Sequence, residues 1–386
     1  LSFLFSCCFL LSLFSFFYYN ITCGEFCQCD QPVFSVFSPL VLTILSILNK
    51  FYSLFFIFHS VFVYFSHIFV LCILRIPSFC FWLYDKFINT NRKKGRNSCM
   101  KKSIDICVKS PQYVTITNLS FTQVDSWFGH CKRDLKMDLI YPEDPGRKYP
   151  CIVWICGGAW LEMDKSAHLA YLAGLARSGF VVASVEYRTS NEAKFPKQLE
   201  DVKSAIRYLR AHADRFCIDP EHFGIMGESA GGYLAAMTAL ATDPGYDVGD
   251  HLSLSSAVQA AVCWYPPSDF CIMPRSAADS PESLLLGKNA TDHVSDAAAI
   301  CPVSFVTKDA PPMMILHGQN DHTVPFDQGE RLHDKMEALG CDVTLIALKN
   351  ADHADIRFFQ DEIWQIIADF FKDRLKTEIK SEKKCP

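Results

Sequence analysis

The pentapeptide G-E-S-A-G at residues 227–231 is the feature of this chain with the most specific chemistry. It follows an apolar run at residues 222–226 and precedes a helix-like run. A serine on a sharp turn from strand to helix stands clear of the backbone and can attack an ester carbonyl. Gly227 and Gly231 remove the side chains that would collide inside such a turn. Ser229 is therefore the candidate nucleophile, with these two glycines as its structural support.

A second segment could stabilise the negative charge that such an attack creates. Residues 156–160 read C-G-G-A-W and follow the apolar run at residues 151–155. Gly157 and Gly158 would let backbone N–H groups of this loop point at a developing oxyanion, together with the N–H of Ala230 just after the nucleophile. The alternative interpretation of the two glycines is an ordinary turn at the end of a strand.

Two further loops carry a candidate acid and a candidate base. Asp321 follows the apolar run at residues 313–316, and His353 follows the run at residues 343–348. Functional groups gather at the carboxyl ends of the strands in an open parallel sheet, so these loops are expected to meet Ser229. His353 would take the proton from Ser229 and return it to the leaving group, while Asp321 would hold and stabilise the imidazole.

Several polar residues near these loops have structural interpretations. Asp321 alone could cap the helix that follows it. Asp327 and Asp352 are rival acids, although Asp352 is adjacent to His353 and so points elsewhere. Glu228 is better explained as a structural carboxylate under the turn than as a proton carrier. The other histidines are expected at the surface, on helices or in loop structure: His168, His212, His222, His251, His293, His317, His322 and His333.

The elements that must position these loops alternate regularly along the chain. The apolar pattern predicts strands at residues 113–117, 135–141, 151–155, 180–185, 223–226, 258–264, 313–316 and 343–348, and helices at 167–177, 197–213, 230–241, 326–339 and 355–375. Strands that alternate with helices specify an α/β fold, here a mostly parallel, twisted sheet with helices on both faces and an antiparallel entry. Residues 266–311 show little periodicity and are expected to shape the substrate pocket.

Composition divides the chain near residue 100. Residues 1–99 hold 19 of the 32 Phe residues and three acidic residues, whereas residues 100–386 carry a net charge of −9. The apolar stretches within residues 1–74 could anchor the protein in a membrane, or contain a signal region. Translated upstream sequence is the third interpretation, because the first methionine is Met100. We expect a hydrophobic segment at residues 1–99, outside the fold, and a catalytic domain at residues 100–386.

Charge and cysteine usage limit the cofactors and partners. The acidic balance of the catalytic region gives no support for a nucleic-acid partner. Its cysteines are scattered and include no C-x-x-C pair, so neither a metal site nor a disulfide framework is indicated, and a reducing, cytoplasmic location is expected. No cofactor is predicted. The expected partner is a small-molecule ester, with a membrane only if residues 1–99 belong to the native protein.

The motifs together resemble those of the α/β-hydrolase carboxylesterases, and among them the group named for bifunctional feruloyl and acetyl-xylan esterases (BD-FAE). The resemblance runs from about Met137 to Phe371. Its motifs are V-W-I-C-G-G-A-W at 153–160, F-P-K-Q-L-E-D-V at 195–202, F-G-I-M-G-E-S-A-G-G at 223–232, W-Y-P at 264–266, H-G at 317–318 and V-P at 324–325. It implies a metal-free serine esterase. The roles it implies are a catalytic triad of Ser229, Asp321 and His353, and oxyanion-hole donors at Gly158, Ala159 and Ala230.

One position departs from the pattern of that family. The oxyanion motif usually opens with His, where this chain has Cys156, a residue expected to order the loop without touching the oxyanion. The change therefore bears on catalytic efficiency more than on whether the enzyme works. Two other functions stay open: an amidase, aryl-formamidase or peptidase built on the same triad, and a membrane-anchored binding module with an inactive hydrolase fold.

Overall fold

The computed structural model describes residues 101–108, 110–273 and 277–376, and its strands form an eight-stranded sheet. The strands are β1 (Tyr113–Ser126), β2 (Cys131–Pro142), β3 (Tyr149–Ile155), β4 (Val181–Val185), β5 (Ile218–Glu228), β6 (Ala260–Trp264), β7 (Met313–Gly318) and β8 (Val343–Leu348). Their order across the sheet is β1-β2-β4-β3-β5-β6-β7-β8. β1 and β2 join antiparallel, and the six strands from β4 to β8 run parallel, so their carboxyl ends share one edge.

Helices cover both faces of the sheet. They are α1 (Leu169–Arg177), α2 (Lys197–Ala211), α3 (Ala230–Leu240), α4 (Pro281–Leu286), α5 (Val294–Ala298), α6 (Asp327–Ala338) and α7 (Asp361–Arg374). α2, α3 and α6 pack into one hydrophobic core, and α1 and α7 pack into the other. The predicted fold class, a mostly parallel sheet between two helical layers, is confirmed.

β3 shows why these residues form a central strand. All seven of its residues are buried, and successive side chains enter opposite cores. Val153 and Ile155 face the core of α2 and α3, whereas Ile152 and Trp154 face the core of α1 and α7. A strand covered on both faces is apolar throughout, which is the pattern that its sequence shows.

β5 is longer than expected from the sequence, running from Ile218 to Glu228, and two further elements differ as well. β1 runs for 14 residues, because its antiparallel pairing with β2 continues well beyond the apolar stretch. The helix expected at residues 355–375 is interrupted: Ile356–Phe359 forms a 3₁₀ turn, and Gln360 is extended (φ −79°, ψ 148°) before α7 begins. Phe358 is fully buried against Trp264 and Tyr265, so tertiary packing overrides the local helical periodicity there.

The expectations for residues 1–99 lie outside the described residues. Within the described ranges, the helices are too short or too polar to cross a membrane. Cys107 is disulfide-bonded, and the free thiols of the described residues belong to Cys131, Cys151, Cys156, Cys217, Cys263, Cys271, Cys301 and Cys341.

Candidate active site

Ser229 lies on a sharp turn between β5 and α3. Its backbone has φ 52° and ψ −121°, and positive φ is uncommon for a residue with a Cβ atom. The turn requires glycine at position 231, where a Cβ atom would lie 2.1 Å from the carbonyl oxygen of Ile155. At Gly227 a Cβ atom would lie 2.5 Å from the Gly231 carbonyl oxygen. These close contacts hold the Ser229 hydroxyl beyond the carboxyl end of β5.

His353 reaches Ser229 from the loop after β8. Its Nε2 lies 3.0 Å from the Ser229 Oγ, although 124 residues separate the two along the chain. Its Nδ1 lies 2.7 Å from Oδ2 of Asp321, in the loop after β7. The three side chains therefore form a continuous hydrogen-bonded series. With the proton of the neutral imidazole on Nδ1, Nε2 is left free to accept the proton of the Ser229 hydroxyl.

Asp321 is held in a fixed orientation by the backbone. Its Oδ1 accepts hydrogen bonds from the amides of Thr323 (2.9 Å) and Val324 (2.8 Å), which leaves Oδ2 for His353. Burial raises the pKa of Asp321, but hydrogen bonds from His317, His353 and the backbone outweigh it and hold this pKa well below its usual range. The carboxyl is therefore ionised at every pH near neutrality.

The two rival acids do not bind the His353 ring. Asp352 accepts from the His322 amide, and its Oδ2 lies 3.0 Å from the His322 Nδ1. Asp327 is exposed at the first position of α6. Of the three acids weighed, Asp321 alone contacts the His353 ring among the described residues.

The loop after β3 presents unused backbone donors beside Ser229. The amides of Gly158 and Ala159 donate no hydrogen bond to any of the described residues. Ala230 is the first residue of α3, so its amide has no intrahelical partner. Gly158 has φ 121°, and a Cβ atom there would lie 1.7 Å from the Glu162 carbonyl oxygen. The Tyr187 hydroxyl donates to the carbonyl of Cys156 (3.1 Å) and so anchors the start of the loop.

Glu228 is the structural carboxylate under the turn. It accepts from Tyr265 Oη (2.7 Å), lies 2.9 Å from the His168 Nε2, and accepts weakly from the Gly157 amide and the Cys156 thiol. Burial raises the pKa of Glu228, but the bonds from His168 and Tyr265 outweigh it and lower this pKa. Burial also raises the pKa of the Cys156 thiol to about 12, so the thiol stays protonated and donates. Cys156 thus joins the loop after β3 to the turn at Ser229.

Three of these side chains are also the residues beside Ser229 that could hold a metal ion. The donor atoms of Cys156, His168 and Glu228 lie within 4.8 Å of one another. Their hydrogen bonds account for the same arrangement, since the imidazole and the thiol both contact Glu228 Oε1.

A cavity of about 410 Å³ opens directly onto Ser229. Its wall combines apolar side chains with a few polar ones, and it is lined by Ala159, Trp160, Ser229, Ala230, Pro267, Met273, Pro281, Glu282, His322, Thr323 and Val324. Pro267, Met273, Pro281 and Glu282 belong to the segment expected from its sequence to shape the pocket. A concave, mainly apolar site beside Ser229 can hold a small ester.

The sequence analysis missed three residues around this site. His168 was expected at the surface or on a helix, yet it is half-buried beside Glu228. Glu282 carried no signal of its own, because a side chain's inward direction depends on partners far along the chain. The W-Y-P motif at residues 264–266, which is part of the family resemblance, was the available pointer to Tyr265.

Known proteins similar in sequence support the same type of chemistry. The BD-FAE family model matches residues 137–336 of this chain, just over half of its 386 residues. Esterase LipC of Mycobacterium tuberculosis is 30% identical over 216 residues, which cover 54% of this chain and 54% of that protein. The chain thus spans about half the length of the curated relatives that it matches.

Solved structures are similar over a larger share of the chain. A truncated form of a carbohydrate esterase from gut microbiota has 31% identity and a TM-score of 0.62, covering 70% of this chain and 100% of that one. Thermogutta terrifontis esterase 2 phosphorylated by paraoxon has 25% identity and a TM-score of 0.54, covering 68% of this chain and 96% of that one.

Proposed function

The chain belongs to the BD-FAE family of α/β-hydrolase esterases, and from that premise we propose that it hydrolyses small carboxylic esters through an acyl-enzyme on Ser229. The observation that carries this proposal is the hydrogen-bonded series from Asp321 through His353 to Ser229. The proposed oxyanion-hole donors are the amides of Gly158, Ala159 and Ala230, and the proposed catalytic domain is residues 100–386.

In the first half of the reaction, the Ser229 Oγ attacks the carbonyl carbon while its proton passes to Nε2 of His353. The carbonyl oxygen becomes an oxyanion that the free amides of the loop and of Ala230 can bind. Asp321 stabilises the imidazolium through Nδ1. Collapse of the tetrahedral intermediate breaks the bond to the alcohol oxygen, which leaves with the proton from Nε2.

In the second half, a water molecule takes the place of the alcohol. His353 accepts a proton from that water as its oxygen attacks the acyl carbon. The bond to the Ser229 Oγ then breaks, the serine recovers its proton from Nε2, and the carboxylic acid departs. Each proton moves between the reacting oxygens and Nε2 alone, so the cycle needs no further acid or base.

Two comparisons support an activated serine. The Thermogutta esterase is phosphorylated by an organophosphate, a reaction expected of a nucleophilic hydroxyl. LipC and the gut carbohydrate esterase are both named esterases. We extend ester hydrolysis, and no particular substrate of these relatives, to this chain.

The experiment that tests the proposal compares Ser229→Ala with Ser190→Ala in the full chain, using 4-nitrophenyl acetate and a fluorophosphonate probe. Ser190 is a matched control, because its hydroxyl is buried and has no hydrogen-bond partner among the described residues. Ser229→Ala should lose roughly 10³-fold or more in kcat and all labelling. Equal turnover by the two variants would refute the role of Ser229.

A second measurement separates ester from amide hydrolysis on the same site. The acetyl group is offered once as 4-nitrophenyl acetate and once as 4-nitroacetanilide. The proposal expects kcat/KM for the ester to be the greater by orders of magnitude. Turnover of the anilide that matches the ester would assign the protein to the amidases. A folded protein that the fluorophosphonate leaves unlabelled would indicate an inactive binding module.

A further inference from the structure

A buried carboxylate lines the same cavity as the nucleophile. Glu282 is only 6% exposed, and it shares the cavity wall with Ser229 and Ala230. Ser280 fixes its position by accepting a hydrogen bond from the Ser283 amide (3.2 Å) at the start of α4. Glu282 thus belongs to a capped helix start that forms part of the cavity wall.

Glu282 differs from the other buried acids in having no cationic partner among the described residues. Five other acidic residues of the described chain are buried, and each lies within 4.0 Å of a basic side chain: Asp138 with Lys165, Glu200 with Lys197, Asp201 with Arg188, Glu228 with His168 and Asp321 with His353. Glu282 makes no ion pair with any described residue. Burial raises its pKa, and the lowering effects of its own amide and of the Ser280 hydroxyl do not offset that rise.

The other described residues of the cavity wall supply no positive charge to pair with Glu282. The described residues that line the cavity include no Lys or Arg, and among them the one other titratable side chain besides Glu282, His322, is paired with Asp352. A carboxylate removed from water is stabilised best by an opposite charge, because a neutral hydroxyl supplies one hydrogen bond and leaves the charge uncompensated. Met273, Trp160 and Val324 would surround the alkyl groups of such a cation.

We propose that Glu282 binds a cationic group of the substrate, so that the esters this site prefers are small carboxylic esters bearing an ammonium group. The inference rests on the proposed function for the identity of the reaction. The binding of the cation itself does not depend on the proposed function. Glu282 selects the substrate and takes no part in bond breaking.

The test uses two esters of nearly equal shape that differ in charge. Acetylcholine carries a quaternary ammonium, and in 3,3-dimethylbutyl acetate a carbon replaces the nitrogen. The full chain should favour acetylcholine in kcat/KM by about tenfold or more, as expected for an ion pair in a partly buried site. Glu282→Gln should erase that preference, chiefly by lowering kcat/KM for the cationic ester. The exposed Glu330→Gln is the matched control and should keep the wild-type ratio.

A binding measurement tests the cation site without relying on turnover. Tetramethylammonium should raise the Tm of the wild type and of Ser229→Ala, and should leave the Tm of Glu282→Gln unchanged. Glu282→Met, of similar length and without charge, provides a second variant should the first fold poorly. The same ester ratio in wild type and Glu282→Gln, or an equal Tm shift in both, would overturn the cation site. Loss of all ester hydrolysis with the Tm shift retained would instead count against the proposed function alone.

Discussion

Replacing Asp321 with Asn tests whether the carboxylate fixes the tautomer of His353. The amide of Asn could adopt two orientations. With its oxygen at the Oδ1 position, it keeps the bonds from the Thr323 and Val324 amides, which are 2.9 and 2.8 Å long in the native protein. Its NH₂ group then faces Nδ1 of His353 and donates to it. The imidazole must carry its proton on Nε2, which can no longer accept the proton of Ser229.

The structure decides between the two orientations. Turning the amide over would set its NH₂ group against two backbone N–H donors, because Asp321 has no exposed side-chain surface at which water could intervene. An unsatisfied buried donor costs roughly 1–3 kcal/mol, so this orientation is disfavoured by about 2–6 kcal/mol. The wrong tautomer should therefore dominate, with a loss of about 10⁴-fold in kcat, which corresponds to ~5 kcal/mol of transition-state stabilisation.

Steady-state kinetics on 4-nitrophenyl acetate measure this effect. KM should change little, because Asp321 does not line the cavity. Asp327→Asn is the control, since this exposed acid at the start of α6 should leave kcat within about threefold of the wild type. A folded Asp321→Asn variant with kcat within tenfold of the native value would refute the tautomer argument, as would an equal loss in the control.

Three other predictions concern stability. Gly231→Ala should abolish folding or lower the Tm severely, because its Cβ atom would lie 2.1 Å from a backbone oxygen. Gly174→Ala, in α1 and with open space around it, should instead stabilise the protein by about 0.4–1 kcal/mol. Similar shifts in Tm for the two variants would contradict this prediction. Tyr265→Phe removes the 2.7 Å bond to Glu228 and should lower the free energy of urea unfolding by about 1.5–3 kcal/mol, and an unchanged denaturation midpoint would argue against that bond. The pKa of Glu282 is raised in the folded state, so its charge destabilises the fold once the pH rises through that pKa. Glu282→Gln should therefore have a higher Tm than the wild type at pH 8, and this difference in Tm should vanish near pH 4. A lower Tm of the variant at both pH values would contradict this prediction.

The meeting of Ser229, Asp321 and His353 could be predicted from the sequence because each residue follows a short apolar strand. The strands run parallel and in register, with Ile155 of β3 beside Gly227 of β5, so their carboxyl ends meet at one edge without further information. The pentapeptide adds its own local signal, since glycine at position 231 is demanded by a contact with the neighbouring strand. Both the parallel arrangement of the strands and the strained turn can therefore be recognised from short stretches of sequence.

The partners of these residues could not be found in the same way. Glu228 and His168 are 60 residues apart, and their pairing depends on the His168 ring, just before α1, reaching the last residue of β5. The break of the last helix at Gln360 has a similar origin, because Phe358 is drawn under Tyr265 by packing and not by its neighbours in sequence. Helical periodicity continues through that stretch, so a local pattern alone favours one helix.

Two buried glutamates beside the same serine show what the structure adds to the sequence. Glu228 and Glu282 are both nearly inaccessible, and the type of residue alone does not separate them. Donors from His168 and Tyr265 surround Glu228 and lower its pKa, so its charge is compensated within the fold. The pKa of Glu282 is raised, so its charge is not compensated by the protein. The contacts of the two carboxylates differ in the same sense, because His168 and Tyr265 bind Glu228 beside the turn at Ser229, whereas Glu282 lies in the cavity wall without an ion pair to any described residue. Glu228 therefore supports the turn, and Glu282 is left available for the role that the proposed cation site gives it.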